Sequence, residues 1–79
     1  IIMRKTLIDL IAQGSDIEFS YHGVWYTILP WTEDGIVAGK QGSDDDAVFA
    51  DSDALFSGFL IEGMPLSDIV DEIELGFSS

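Results

Sequence analysis

The pair His22-Gly23, with a strand-like run on each side, constrains the fold more than any other part of this chain. The preceding run, Ile17–Tyr21, alternates apolar and polar residues, which is the period of a half-buried strand. The following run, Val24–Leu29, is rich in β-branched and aromatic residues. Two-residue loops that contain Gly join antiparallel strands, because Gly readily adopts a positive φ. We therefore predict a β-hairpin over residues 17–29 and an antiparallel sheet built on it.

Further strands are expected between short polar turns. Pro30 ends the second strand, and the turn Thr32–Gly35 leads into a third strand over Ile36–Lys40. After a polar loop at residues 41–46, the run Ala47–Ala50 is expected to form a short fourth strand. Residues 58–63 are compatible with either a buried connector or a strand.

Three segments have the features of helices. Met3–Gln13 carries apolar residues at helical spacing. Asp51 or Ser52 is expected to cap a short helix that ends near Phe56. Pro65 suits the first position of a last helix. The apolar stripe of that helix consists of Leu66, Ile69, Val70 and Ile73.

Together these elements predict a single small domain of the α+β class over residues 1–79. The expected order is α-β-β-β-(β)-α-α, with a three- to four-stranded antiparallel sheet and helices on one face. Apolar residues make up 47% of the chain and the mean hydropathy is +0.26, so a disordered acidic tail is excluded.

The charge of the chain is strongly negative and unevenly distributed. Fifteen Asp and Glu residues oppose three Lys and Arg residues, which gives a formal net charge of −12. Residues 41–79 contain no base and ten acids, namely Asp44, Asp45, Asp46, Asp51, Asp53, Glu62, Asp68, Asp71, Glu72 and Glu74. Such a chain cannot neutralise many phosphates, so direct binding to nucleic acid or to an anionic membrane surface is excluded.

Neither a metal site nor a cofactor site is predicted. Without cysteine, the chain has no disulfide and no thiolate ligand. The acids that start at Asp44 suggest a calcium loop, but Phe49 and Leu55 stand where an EF-hand needs Gly and Glu. The glycines do not form a phosphate-binding motif.

An enzymatic role is not expected. His22 is the only histidine and falls at the predicted hairpin turn, where a turn residue is the simplest interpretation. A general base also needs a nucleophile and an orienting group, and the sequence identifies neither. Paired carboxylates are present, but a domain of 8.6 kDa rarely encloses a cleft large enough for glycoside hydrolysis.

The aromatic residues of the hairpin region are candidates for either core packing or an interface. Strand alternation sends Trp25 and Tyr26 to opposite faces, so one of them is expected to be exposed. Exposed aromatic residues rimmed by acids resemble interface anchors. Trp25 and Trp31 are the two candidate anchors.

The expected location is the cytoplasm of a bacterial host cell. The sequence has no run of 18 apolar residues that would span a membrane. Arg4 and Lys5 are followed by an amphipathic run and not by the continuous apolar run of a secretory signal.

The acidic half suggests a protein that competes with nucleic acid for a basic partner. Duplex DNA carries about one charge per 1.7 Å, so a span of ~30 Å presents roughly 18 phosphates. The ten acids of residues 41–79 approach the charge density of one side of such a segment, and carboxylates match the arginines that read base edges. These ten residues are the predicted partner-binding set.

A resemblance points the same way. The opening helix Met3–Gln13, the hairpin Ile17–Leu29 and the acidic ending Leu66–Ile73 resemble small acidic proteins encoded by phages and plasmids of Gram-positive bacteria. Several of those proteins are DNA mimics or anti-CRISPR inhibitors. The resemblance implies an inhibitor whose partner is a basic nucleic-acid-binding nuclease. The alternative is a structural module that forms a homodimer through its aromatic hairpin or a sheet edge.

Overall fold

A computed structural model describes residues 2–78, with side chains described for residues 3–76. The elements are α1 (Ile2–Ala12), β1 (Ile17–Tyr21), β2 (Val24–Thr32), β3 (Gly35–Lys40), β4 (Ala47–Phe49), α2 (Ser52–Gly58), β5 (Leu60–Ile61), β6 (Met64–Pro65), α3 (Leu66–Ile69), a 3-10 turn (Val70–Glu72) and β7 (Glu74–Ser78).

Five of the strands form one antiparallel sheet in the order β4-β3-β2-β1-β7. The hairpin between β1 and β2 has the register that a two-residue turn requires, with Tyr21 opposite Val24 and Phe19 opposite Tyr26. Strands β5 and β6 form a separate two-stranded hairpin. The predicted hairpin and the α+β class are confirmed.

The core lies on one face of the sheet. Alternate residues of the central strands, including Phe19, Tyr26 and Ile28, are buried on this face. Helices α1, α2 and α3 cover them with apolar side chains such as Leu7 and Phe56. We call this face of the sheet the helix side. The opposite face, which no helix covers in the described part of the chain, is the open face.

Local signals explain where the helices begin. The Asp51 carboxylate accepts a hydrogen bond of 2.8 Å from the backbone N–H of Ala54, so the predicted cap of α2 is confirmed. Pro65 lies one residue before the helical position predicted for it, because it is the last residue of β6 and the N-cap of α3, whose first residue is Leu66. The predicted stripe of the last helix, Leu66, Ile69, Val70 and Ile73, is buried.

Strand β2 continues to Thr32, two residues past Pro30, where the sequence predicts its end. The pairing with β3 is irregular between Leu29 and Thr32 and so tolerates a residue without a backbone N–H.

The C-terminal part differs from the sequence prediction in two further ways. The expected last helix is one α-helical turn, Leu66–Ile69, followed by the 3-10 turn. The chain then extends into β7, which pairs with β1 and gives the sheet a fifth strand. The segment at residues 58–63, for which two interpretations were open, contains β5 and the tight turn into β6. None of the helices in residues 2–78 has both the length and the apolar character to cross a membrane.

Candidate functional site

All ten acids of the predicted partner-binding set are solvent-exposed. They occupy the loop between β3 and β4 (Asp44, Asp45, Asp46), the start of α2 (Asp51, Asp53), the turn between β5 and β6 (Glu62), helix α3 (Asp68), the 3-10 turn (Asp71, Glu72) and the start of β7 (Glu74). The set is therefore accessible from solvent at every position.

The ten acids do not form one compact patch, because the strand register separates them. Glu74 lies opposite Ser20, next to the turn between β1 and β2. Asp51 follows Phe49, which lies opposite Ile36 and hence next to the turn between β2 and β3. These turns are at opposite ends of the sheet. The acids thus extend over a molecule whose principal extents are 30 × 28 × 22 Å.

One subset of the acids surrounds a buried tyrosine. The phenol of Tyr21 has a raised pKa because of burial first, and then because of the negative charges of Glu72 and Glu62. The pKa of Tyr26 is raised by burial and by Glu62. The structure therefore brings Glu62 and Glu72 together at the Tyr21 end of the hairpin, although nine residues lie between them in sequence.

From the raised pKa values of Tyr21 and Tyr26 we expect the protein to lose stability at alkaline pH. Their pKa values lie above the unfolded value of 10.0, so the stabilisation is complete below pH 10 and is lost as the pH rises through the folded pKa. We expect the free energy of unfolding, measured by urea denaturation from pH 8 to 11, to fall less steeply above pH 10 in Tyr21→Phe than in the parent. Equal slopes in the two proteins would contradict the assignment to Tyr21.

Two tight turns meet at His22 and Glu62. Both residues have a positive φ, 52° and 53°, and each is followed by a Gly with a positive φ. His22 Nδ1 lies 3.0 Å from Glu62 Oε2, and the imidazole also stacks on the ring of Tyr21 at a centroid distance of 3.9 Å. This contact joins the main hairpin to the small β5–β6 hairpin. It gives His22 a structural role at the turn, which is the interpretation that the sequence favoured.

The two candidate aromatic anchors have different surroundings. Trp31 is 60% exposed, and its indole Nε1 donates a hydrogen bond to the Asp16 carboxylate. Trp25 is 43% exposed and lies on the open face, whereas Tyr26 is buried on the helix side. The predicted alternation of Trp25 and Tyr26 is therefore confirmed.

Glycine and serine determine how the Trp25 indole lies on the open face. Ser20 is opposite Trp25 in the register and is only 8% exposed. Beyond it, a Cβ on Gly76 would stand 2.3 Å from the indole ring. The indole thus extends over β1 toward β7 because residues 20 and 76 are small. This position leaves part of the ring in contact with solvent.

A groove of about 260 Å³ lies beside the indole and is lined by Trp25, Gly76, Glu18 and Gln41. Gln41 Nε2 donates a hydrogen bond of 2.7 Å to Glu18 Oε1. The backbone N–H of Gln41 also donates to the carbonyl oxygen of Trp25 at 3.0 Å. Gln41 therefore binds both the Glu18 carboxylate and the backbone of Trp25.

Glu18, Gln41 and Gly76 are not among the site residues that the sequence predicts. A signal for Glu18 existed, because strand alternation and the two-residue turn place it on the same face as Trp25. The involvement of Gly76 depends on the long-range pairing of β7 with β1, for which the sequence has no local signal.

The described residues contain no group of three or more His, Asp or Glu side chains suited to holding a metal ion. The chain matches no protein-family model, no curated protein and no solved structure.

Proposed function

We propose that this protein is a non-enzymatic inhibitor that binds a basic, DNA-handling protein of bacterial host defence in place of nucleic acid. An RNA-guided CRISPR nuclease is the favoured partner. In such a nuclease, arginines and lysines read a short duplex motif and line the heteroduplex channel, so an acidic surface can compete for them. The inhibitor would act in the cytoplasm of the host cell.

One observation carries the proposal: the ten acids of the base-free half are all exposed, and they extend over both ends of the sheet. A 30 Å segment of duplex DNA presents roughly 18 phosphates at about one charge per 1.7 Å, and the longest extent of this protein is 30 Å. Exposed carboxylates on a surface with a large negative net charge attract a basic partner.

The test is the affinity for a purified, guide-loaded RNA-guided nuclease at low and high salt, with and without its target duplex. We expect binding at low salt, a steep decrease as salt rises, and displacement by the duplex. Absence of binding at low salt, or simultaneous binding of inhibitor and duplex, would contradict the proposal.

Matched charge variants separate a defined surface from net charge alone. The first variant neutralises Asp44, Asp45 and Asp46 as asparagines. The control carries Asp9→Asn, Glu33→Gln and Asp34→Asn, which are three exposed acids of the first half with the same total charge. Because charge near the contact steers association, we expect roughly a tenfold lower association rate for the first variant and a smaller change for the control. Equal effects would count against a defined binding surface.

The alternative, a module that dimerises through its aromatic hairpin or a sheet edge, makes a different prediction for the mass in solution. A dimer that resists salt and buries Trp25 or Trp31 would favour it. The inhibitor proposal predicts a monomer at low salt, because two copies with a net charge of −12 repel each other.

A further inference from the structure

The open face of the sheet carries acidic residues near an exposed indole. Glu18 and Glu74 lie on this face together with Trp25, since Glu74, Ser20 and Trp25 are opposite one another across three strands. Asp46 joins them, because its Oδ1 would be 2.0 Å from a Cβ on Gly39 and therefore lies directly over that strand.

The three cations of the chain lie on the helix side. Arg4 is on α1 and stands over the ring of Phe56, with its Cζ 4.6 Å from the ring centroid. Lys5 is on the same helix. Lys40 pairs with Tyr26 and alternates to the helix side of β3. The described part of the open face therefore has negative charge only, and it complements a cationic group.

The exposed part of the Trp25 indole is accessible to a cationic group. An aromatic face attracts a cation within about 6 Å of its centroid, and Trp is the best of the aromatic residues in this respect. Ser20 and Gly76 already determine how the indole lies, so little ordering is required when a ligand binds.

Glu18 supplies a hydrogen-bond acceptor beside the ring. A carboxylate has about four acceptor positions, and the hydrogen bond from Gln41 to Oε1 occupies one of them while fixing the orientation of the group. The remaining acceptor capacity suits a planar fork of N–H donors.

These features select an arginine side chain among the cationic groups. The guanidinium is planar, stacks on aromatic rings and donates in a fork, whereas the lysine ammonium is a compact and strongly hydrated point charge. The groove of about 260 Å³ is smaller than the typical range of ~300–1,000 Å³ for small-molecule pockets, and this size suits a single side chain.

A second copy of this chain is disfavoured as the occupant of the groove, because the acids of the two open faces would then face and repel each other.

We infer that the groove of Trp25, Glu18, Gln41 and Gly76 binds an arginine of the basic partner, with the guanidinium stacked on Trp25 and hydrogen-bonded to Glu18. This inference rests on the proposed function, because it names the residue type through which the partner is recognised. It assigns the open face, and not only the ten acids of residues 41–79, to the contact.

The test compares peptides of eight arginines and eight lysines, which have equal charge, in binding measured by fluorescence anisotropy at low salt. We expect the arginine peptide to bind more tightly. Glu18→Gln, which keeps the shape of the side chain, should weaken arginine binding roughly tenfold, since a charge-assisted hydrogen bond contributes about that factor. Its control is Glu33→Gln, an exposed acid with the same charge change at the turn between β2 and β3.

Two further variants address the ring. Trp25→Leu should weaken arginine binding roughly threefold by loss of the cation–π contact, whereas the control Trp31→Leu should not. Gly76→Ala places a methyl group against the indole and should displace it, with a shift of the Trp25 indole N–H resonance in the NMR spectrum and weaker arginine binding.

The outcomes separate the two proposals. Failure of both peptides to bind at low salt would overturn the proposed function. Equal binding of the two peptides, with equal effects of Glu18→Gln and Glu33→Gln, would overturn the arginine site and leave a general acidic surface.

Discussion

Replacing Phe19 with alanine is expected to lower the free energy of unfolding by about 3–5 kcal/mol. The side chain is fully buried, and its ring stacks on Tyr26 at a centroid distance of 5.3 Å. Strand β1, which contains Phe19, pairs with β2 on one side and with β7 on the other. The substitution would therefore leave a cavity in the core, between the helices and the central part of the sheet formed by β2, β1 and β7. Domains have a total stability of about 5–15 kcal/mol, and small ones bury less of their surface, so this loss is a large fraction.

Urea denaturation followed by circular dichroism measures this effect, and Trp31→Ala is the control. Trp31 is also aromatic, but it is 60% exposed, so its removal should cost far less than that of Phe19. A loss of under 1 kcal/mol for Phe19→Ala would mean that the β1 region is not the packed core described above.

Gly35→Ala is expected to lower the free energy of unfolding by about 3 kcal/mol through backbone strain and a steric clash together. Gly35 has a φ of 124°, a backbone conformation that residues with a Cβ rarely adopt. A Cβ at this position would be 2.6 Å from the carbonyl oxygen of Phe49 in the neighbouring strand β4. A shift of the turn would disrupt the pairing of Gly35 with Thr32, and a shift of β4 would disrupt the pairing of Phe49 with Ile36.

Gly42→Ala separates the two contributions. Gly42 also has a positive φ, 81°, but no heavy atom lies within 4 Å of a Cβ built there. We expect a cost of about 1 kcal/mol at this position, from the left-handed conformation alone. Equal losses for the two variants in urea denaturation would show that contact with Phe49 contributes nothing at Gly35.

The sequence predicts the parts of the fold that depend on neighbouring residues. The His22-Gly23 turn sets the register of β1 and β2, and it thereby places Glu18 beside Trp25 on one face. The Asp51 cap was also predictable, because a capping carboxylate accepts hydrogen bonds from backbone N–H groups only a few residues away. These interactions involve short segments, and their sequence signals are strong.

Pairing between distant segments was not predictable in the same way. The segment Glu74–Ser78 is short, and its role as an edge strand depends on the free edge of β1. The expected last helix ends after Ile69 because Val70–Glu72 tightens into a 3-10 turn that leads to β7. The groove was therefore only partly predictable from the sequence. Trp25 and Glu18 belong to the predicted hairpin, whereas Gly76 belongs to β7, which was not predicted.

The pairing of β1 with β7 also has a consequence for the order of events during synthesis. Ile17 lies opposite Ser78, so the outer edge of β1 has no partner strand until almost the entire described chain has left the ribosome. Contacts between such distant positions slow folding, and an exposed strand edge invites pairing with other chains in the meantime. The many carboxylates repel neighbouring nascent chains during that interval. A negative charge of this size therefore disfavours aggregation while the sheet is still incomplete.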